Sequence, residues 1–186
     1  MPEKVYSETK KMRIRREVSY HFLQRMTVES CGTEEFAPRM LELALDRAAN
    51  STDRDNQAGA ILASPNLDLV FGWNGFHPGM GVHLSAALSA IYDGVRSHRP
   101  VAGSILFLPW SPDQHSVAAI IACGVAAVIT WEPLLRLTED SLRQELLSAQ
   151  ALFKDSDTTL HAYNGPIVSN TTIKFNSKEL IIKDAR

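Results

Sequence analysis

Apolar residues recur at characteristic spacings along the chain, and these spacings predict the order of its helices and strands. Over residues 18–26 and again after Pro38, apolar positions return about every three or four residues, as on one face of a helix. The short apolar stretches 58–63 and 67–73 flank a Ser64-Pro65-Asn66 turn, which predicts a strand hairpin. Further along, the pattern predicts a helix over 82–95, a strand over 104–108, a helix over 113–123 and a strand over 125–131.

The last third of the chain continues this alternation. Residues 139–153 carry leucines near one face and predict an amphipathic helix, and residues 160–163 and 171–175 predict late strands. An order of helix, two strands, helix, strand, helix, strand is typical of an α/β sandwich with a mixed sheet. A single domain over residues 17–186 is long enough to bury a substantial core.

Residues 1–16 differ from the rest because they are basic and contain few apolar positions. We predict a solvated leader that can be disordered, and a phosphate-contacting arm is the alternative. The basic residues of this leader are Lys4, Lys10, Lys11, Arg13, Arg15 and Arg16.

Overall charge and cysteine content exclude several classes of function. The formal net charge is −2 and the pI is about 6.3, so long nucleic acid is not an expected partner. No apolar run approaches the roughly 20 residues of a membrane span. Cys31 and Cys123 are too few for a secreted disulfide framework or a thiolate-dominated metal site. These features favour a cytoplasmic protein.

Two consecutive segments carry a family resemblance. The strand segment Asp55–Leu62 (DNQAGAIL) and the turn Gly72–Gly79 (GWNGFHPG) are similar to the opening motifs of the deoxycytidylate deaminase family. The resemblance covers roughly residues 36–155. It implies a three-layer α/β/α sandwich of the cytidine deaminase-like type with a mixed sheet of about five strands. It also implies a nucleotide pocket with Asn74 and Gly75 on its wall, and a homo-oligomer.

The positions that hold zinc in that family have changed here. The family places His-Ala-Glu on one helix and Pro-Cys-x-x-Cys at the start of the next, whereas this chain reads His83-Leu84-Ser85 and then Pro112–Ser116. The first motif can be aligned with His83 or with Ser85 at the histidine position, and neither alignment supplies a carboxylate. In the second motif, Asp113 and Ser116 replace the two cysteines. Hydroxyl and carboxylate donors bind zinc far more weakly than thiolates, so we predict no zinc cofactor.

The candidate residues therefore divide into two sets. The substrate-binding set is expected to contact a small-molecule nucleotide or analogue, and Trp110 is expected to stack on its base. These residues are Asn74, Gly75, Ser85, Trp110, Ser111 and Ser116. The second set, His83, Asp113 and His115, would supply acid, base or metal ligands if a different chemistry has taken over the pocket.

Three functional hypotheses follow. In the first, the chain is a nucleotide-binding protein of deaminase-like fold that has lost zinc-dependent deamination and acts as a sensor, regulatory subunit or antagonist. In the second, it is a hydrolase or transferase that uses the rearranged His/Asp/Ser pocket on a pyrimidine nucleotide or similar heterocycle. In the third, side chains fill the pocket and the protein is a scaffold.

Overall fold

The helices and strands follow the predicted order, with short additions at turns and near the C-terminal end. The computed structural model describes residues 20–138, 140–167 and 171–182. Its helices are α1 (Tyr20–Arg25), α2 (Ala37–Ala48), α3 (Ala86–Arg96), α4 (Gln114–Ala122), α5 (Glu132–Arg136) and α6 (Asp140–Ala151), followed by a 3-10 turn at Leu152–Asp155. Its strands are β1 (Gly59–Ala63), β2 (Leu69–Trp73), β3 (Gly75–His77), β4 (Val82–Leu84), β5 (Ile105–Phe107), β6 (Ala127–Trp131), β7 (Thr159–Tyr163), β8 (Thr172–Phe175) and β9 (Lys178–Ile181). The basic leader predicted over 1–16 lies outside the described residues.

Five of the strands form one mixed sheet in the order β2-β1-β5-β6-β7. β1 pairs antiparallel with both β2 and β5, whereas β5, β6 and β7 run parallel. Each parallel connection crosses through helices, α4 between β5 and β6, and α5 with α6 between β6 and β7. The predicted α/β class with a mixed sheet of about five strands is confirmed.

Alternating side chains of the central strands supply two separate cores. In β1, Ile61 and Ala63 join the cluster beneath α1 and α2, while Ala60 and Leu62 join the cluster beneath α3 and α4. The same alternation holds in β5. A strand buried on both faces is continuously apolar, which is why these segments read as uninterrupted hydrophobic runs in the sequence. The result is three layers with the sheet in the middle.

Close packing of α3 on the sheet depends on a glycine in β2. A Cβ placed on Gly72 would lie 2.3 Å from the Ala86 carbonyl oxygen and 2.5 Å from the Ala90 nitrogen. Any larger residue would therefore push the first turns of α3 away from the sheet. This contact holds the first turns of α3 against β2, and the start of α3 forms part of the cavity described below.

One predicted helix is shorter at its start than expected. Residues 82–84 form β4, which pairs with β3, and α3 begins only at Ala86. The reason is local: Ser85 has extended backbone angles and caps the helix, and Gly81 has a positive φ of 69° that turns the chain into the hairpin. Similarly, Glu34 and Glu35 are residues typical of a first helical turn and predict an earlier start for the second helix, but α2 begins at Ala37.

Candidate functional site

A cavity of about 430 Å³ lies beyond the carboxyl ends of β2 and β5, next to the starts of α3 and α4. This is the edge where ligands commonly bind in open α/β sheets. Every residue of the two predicted sets lines the cavity except His115. The lining residues are Asp53, Ala58, Asn74, Gly75, His83, Leu84, Ser85, Ala86, Ala87, Leu108, Trp110, Ser111, Pro112, Asp113, Ser116 and Leu146.

Three of these side chains, Ser85, Asp113 and Ser116, form what we call the floor. Ser85 is the N-cap of α3, and its Oγ accepts a hydrogen bond from the Leu88 backbone N–H at 3.2 Å. Asp113 is the N-cap of α4, and its Oδ1 accepts from the Ser116 N–H at 2.8 Å. Serine and aspartate are preferred at this position because their short oxygen-bearing side chains reach the free N–H groups of the first turn. Two helix starts therefore meet at the floor.

A chain of hydrogen bonds joins the three floor side chains. The Ser116 hydroxyl donates to Asp113 Oδ2 at 2.9 Å, and the Ser85 and Ser116 hydroxyl oxygens are 2.7 Å apart. Ser116 has one hydroxyl hydrogen, which the carboxylate takes, so Ser85 must be the donor to Ser116. Ser116 is fully buried and Asp113 is half-buried. The direction of both bonds is thus fixed.

Four further lining residues, Asp53, Ala58, Asn74 and Gly75, form what we call the wall. The Asn74 side chain is committed to the protein there: its Oδ1 accepts from the Ala58 N–H at 2.7 Å, and its Nδ2 donates to the Asn56 carbonyl at 2.6 Å and to Asp53 Oδ2 at 3.4 Å. Asn74 therefore ties the loop before β1 to the end of β2. Contact of Asn74 with a nucleotide stays a prediction, and one lone pair of Oδ1 is the group that could make it.

Gly75 is required by the geometry of the wall. Its φ is 116°, and a Cβ there would lie 2.3 Å from the Thr52 hydroxyl oxygen. That hydroxyl accepts the hydrogen bond of the Phe76 N–H at 2.7 Å. The Asn74-Gly75 pair is therefore a conformational requirement of this turn, in addition to its predicted place beside a ligand.

Two rings at the cavity are each paired with a phenylalanine that does not line it. Trp110 stacks on Phe175 of β8, with ring centroids 4.6 Å apart and planes inclined by 20°. The exposed His83 lies 5.4 Å from Phe76 across the β3–β4 hairpin. Phe175 thus supports Trp110 from the C-terminal hairpin. Base stacking on Trp110 stays a prediction.

The predicted set of His83, Asp113 and His115 is not brought together. His83 and Asp113 line the cavity, but His115 is exposed on the first turn of α4 and does not. Residues two apart at a helix start point in different directions, which separates His115 from Asp113. Ser111, by contrast, lines the cavity and accepts a hydrogen bond from the Gln150 amide nitrogen at 2.9 Å.

The residues at the floor do not fit zinc. A zinc site needs thiolate, imidazole or several carboxylate donors, and the floor offers two hydroxyls and one carboxylate that already bond to one another. Among the described residues, no group of three or more His, Cys, Asp and Glu side chains could hold a metal ion. Neither cysteine lines the cavity, and burial raises the pKa of the Cys31 thiol to about 11.

The contact between Ser85 and Ser116 bears on the two alignments left open by the sequence. With Ser85 at the family's histidine position, the three ligand positions of the resemblance would be Ser85, Asp113 and Ser116, and these three side chains are in contact. With His83 there, the first position lies on β4 at the exposed rim. The geometry favours Ser85. Ala87 then occupies the glutamate position, and its side chain is buried.

Sequence reasoning did not identify several residues around the cavity. Asp53 belongs to the wall, where its Oδ1 accepts from the Asp55 and Asn56 N–H groups at 2.9 Å each. The sequence of this loop, Asp53-Arg54-Asp55-Asn56, is typical of such an Asx turn and could have predicted it. Leu146 of α6 also lines the cavity, and Phe175 supports Trp110; no local pattern distinguishes these long-range contacts from ordinary core packing.

Comparison with known proteins identifies the fold. No protein-family model and no curated protein matches the chain. Among solved structures, it is similar to the dCMP deaminase of the cyanophage S-TIM5 in complex with dCMP and dUMP, with 21% identity, a TM-score of 0.50, and coverage of 64% of this chain and 92% of that one. It is also similar to RibD of Acinetobacter baumannii, with 15% identity, a TM-score of 0.51, and coverage of 68% of this chain and 34% of that one.

A bifunctional enzyme from Thermotoga maritima gives the same result. This diaminohydroxyphosphoribosylaminopyrimidine deaminase/5-amino-6-(5-phosphoribosylamino)uracil reductase shares 14% identity at a TM-score of 0.51, with coverage of 68% of this chain and 36% of that one. The chain thus spans about a third of the RibD-type proteins and nearly all of the phage deaminase. The described residues contain no helix that is both long and apolar enough to cross a membrane. The chain has the cytidine deaminase-like fold.

Proposed function

We propose that this protein binds a nucleotide or a closely related heterocycle and has lost zinc-dependent deamination, so that it acts as a sensor, a regulatory subunit or an antagonist. The observation that carries the proposal is the floor. With Ser85 at the histidine position of the resemblance, its three side chains would take the places of the metal ligands, and they bond to one another through two hydroxyls and one carboxylate.

Loss of deamination follows from two separate deficits. The floor lacks the thiolate and imidazole donors with which zinc activates water. Ala87, at the glutamate position, has no group that could move protons between water, base and leaving ammonia. The two carboxylates of the cavity stand at positions other than that of the glutamate: Asp53 belongs to the Asx turn before β1, and Asp113 is the N-cap of α4. Each deficit alone would stop the family's reaction.

Retention of binding is supported by the cavity itself. Its volume of about 430 Å³ falls within the range of small-molecule sites, and side chains do not fill it. Trp110 lines it with Phe175 behind, which holds the indole ring in place without a ligand. The phage deaminase of the same fold was solved with dCMP and dUMP. These features favour binding over a purely structural role.

Calorimetry with nucleosides and their mono- and triphosphates tests the binding half of the proposal. We expect at least one of these compounds to bind below about a millimolar. Base stacking contributes about 1–3 kcal/mol, so Trp110→Ala should weaken binding roughly ten- to a hundredfold. Tyr92→Ala is the matched control, because Tyr92 is an exposed aromatic residue on α3 that does not line the cavity. If no compound of the panel binds, the binding proposal is wrong and the scaffold hypothesis takes its place.

A deamination assay tests the other half. We expect no ammonia release from cytidine, deoxycytidine or their monophosphates above background. Product formation that chelators abolish would overturn the proposed loss of activity. The homo-oligomer implied by the resemblance is part of the same proposal and is measured by light scattering on the purified chain.

A further inference from the structure

The last strand of the five-stranded sheet, β7, has one open edge. The Thr159 N–H donates to the Ala126 carbonyl at 2.9 Å, and in the parallel register of β6 and β7 the odd-numbered residues of β7 bond to β6. The alternate residues, Leu160 and Ala162, therefore direct their backbone N–H and C=O groups away from β6. None of the described residues bonds to these four groups. β7 thus presents two donors and two acceptors along one edge.

The opposite edge of the sheet, β2, is blunted by side chains. The Trp73 N–H donates to the Ser89 hydroxyl of α3 at 3.4 Å, and Asp68 and Arg99 form an ion pair at the start of this strand. Charged side chains and covering elements are the usual means by which edge strands avoid pairing with another chain. The sequence of β7, TLHAY, contains no lysine, arginine, carboxylate or proline. The two edges of the sheet therefore differ in how readily they could accept a further strand.

The space beside β7 is open on the face that carries α6. A groove of about 600 Å³ lies between the end of α6, the 3-10 turn and the start of β7. Its apolar lining includes Leu147, which is 39% exposed, and the half-buried Leu160. On the other face, a Cβ placed on Gly32 would lie 3.0 Å from the His161 Cβ, so the Gly32 segment covers that side chain. The open strand edge therefore adjoins exposed apolar surface.

The outward groups of β7 are complementary to those of a second copy of β7. When two copies run antiparallel with full overlap, Leu160 of one lies opposite Ala162 of the other, and His161 lies on the two-fold axis. Leu160 and Ala162 then exchange hydrogen bonds in both directions, so that all the outward N–H and C=O groups of both strands are paired. The small Ala162 side chain leaves room for Leu160, and no carboxylate or lysine of one β7 faces its like.

We propose that two copies of this chain dimerise edge to edge through β7 and join their sheets into one continuous sheet. The proposal rests on the homo-oligomer of the proposed function and assigns its interface. The two-fold axis is perpendicular to the sheet, so α6 of each copy lies on the same face and the two grooves flank the axis. None of the described residues that line the 430 Å³ cavity belongs to β7, so both cavities stay open in the dimer.

Light scattering and sedimentation of the full chain test the interface. We expect the parent to have a mass of twice 20.6 kDa. Ala162→Lys places a charge at an exposed position whose backbone groups point away from β6, so the sheet should persist while the Kd of the dimer rises by at least about tenfold. Ala118→Lys, the same substitution at an exposed alanine of α4, is the matched control and should leave this Kd unchanged. Circular dichroism checks the folding of both variants.

Disulfide cross-linking tests the register. Two His161 residues on the two-fold axis form a non-hydrogen-bonded pair with Cα atoms about 4.5 Å apart, so cysteines there can form a disulfide. The two Ala162 Cα atoms would lie roughly 8 Å apart, which is too far. Under mild oxidation, non-reducing electrophoresis should show a linked dimer for His161→Cys and none for Ala162→Cys. The parent, which has Cys31 and Cys123, should give none either.

The outcomes separate this inference from the rest of the proposed function. A monomeric parent would overturn the inference together with the homo-oligomer, whereas nucleotide binding is measured separately by calorimetry and would be unaffected. An oligomer that Ala162→Lys leaves intact would keep the homo-oligomer and overturn the β7 interface, and its loss in Ala118→Lys would place the contact on the helices. A linked dimer in Ala162→Cys but not in His161→Cys would overturn the register.

Discussion

The wall and the floor of the cavity use their polar side chains differently. On the wall, Asn74 makes three side-chain hydrogen bonds within the protein, two of them to the backbone around β1. On the floor, Ser85 and Asp113 each cap a helix but keep lone pairs that no described residue uses. The comparison indicates that substitutions on the wall should cost stability first, and substitutions on the floor should change ligand preference first.

Asn74→Ala should have the largest effect on stability. Three hydrogen bonds are lost, and at a net 0.5–1.5 kcal/mol each the free energy of unfolding should fall by roughly 2–4 kcal/mol. Denaturant unfolding measures it. Asn66→Ala, in the exposed turn between β1 and β2, is the matched control and should change stability by less than about 0.5 kcal/mol. A loss at Asn74 no larger than at Asn66 would show that the wall is not held by this side chain.

Gly75→Ala should cause the second-largest loss of stability. The substitution places a Cβ 2.3 Å from the Thr52 hydroxyl oxygen at a φ of 116°, so strain at both the contact and the backbone should cost about 2 kcal/mol or more. Gly81→Ala is the comparison variant: Gly81 has a φ of 69°, in the left-handed helical region that alanine can adopt at modest cost, and a Cβ there meets nothing within 4 Å. The Gly81 variant should lose only about 1 kcal/mol, the backbone cost alone. If the two variants lost the same free energy of unfolding, the contact with Thr52 and the larger φ of Gly75 would add no strain.

Ser85→Ala should have the smallest effect on stability of these changes. Loss of the N-cap of α3 costs about 1 kcal/mol, and the neighbouring Ser116 keeps its bond to Asp113. Ser148→Ala, on the exposed face of α6, controls for a general effect of removing a hydroxyl and should stay within about 0.5 kcal/mol of the parent. If Ser85→Ala destabilised the protein as much as Asn74→Ala, the distinction between wall and floor would not hold.

The sheet could be predicted because its strands are marked locally. Ala60, Leu62 and Val128 lie in short apolar runs, and such runs stay buried in any arrangement that covers both faces of a sheet. The stretch 82–84 was predicted as helix because Val82 and Leu84 continue into the apolar pattern of α3. In the structure these residues form β4, because they pair with β3 and because Ser85 caps α3 immediately after them. Neither contact can be read from the spacing of apolar residues.

The sequence largely predicted which residues line the cavity, but it did not predict how their side chains contact one another. The motif around Asn74 and the segment 112–116 indicated which residues meet, through a resemblance and not through periodicity. The sequence allowed either His83 or Ser85 at the histidine position of the resemblance. Only the 2.7 Å contact between the Ser85 and Ser116 hydroxyl oxygens distinguishes the two alignments. The support of Trp110 by Phe175 joins residues far apart in the chain, so no local signal could reveal it. Their roles toward a ligand stay predictions.

Zinc content of the parent and of one triple variant tests most directly whether the floor stands where a metal would be held. Ser85→His, Asp113→Cys and Ser116→Cys, combined in one chain, would restore the ligand set of the resemblance at three side chains that are in contact here. Elemental analysis should find no stoichiometric zinc in the parent and about one zinc per chain in the triple variant, with folding checked by circular dichroism. Stoichiometric zinc in the parent, or a folded triple variant that binds none, would contradict the account.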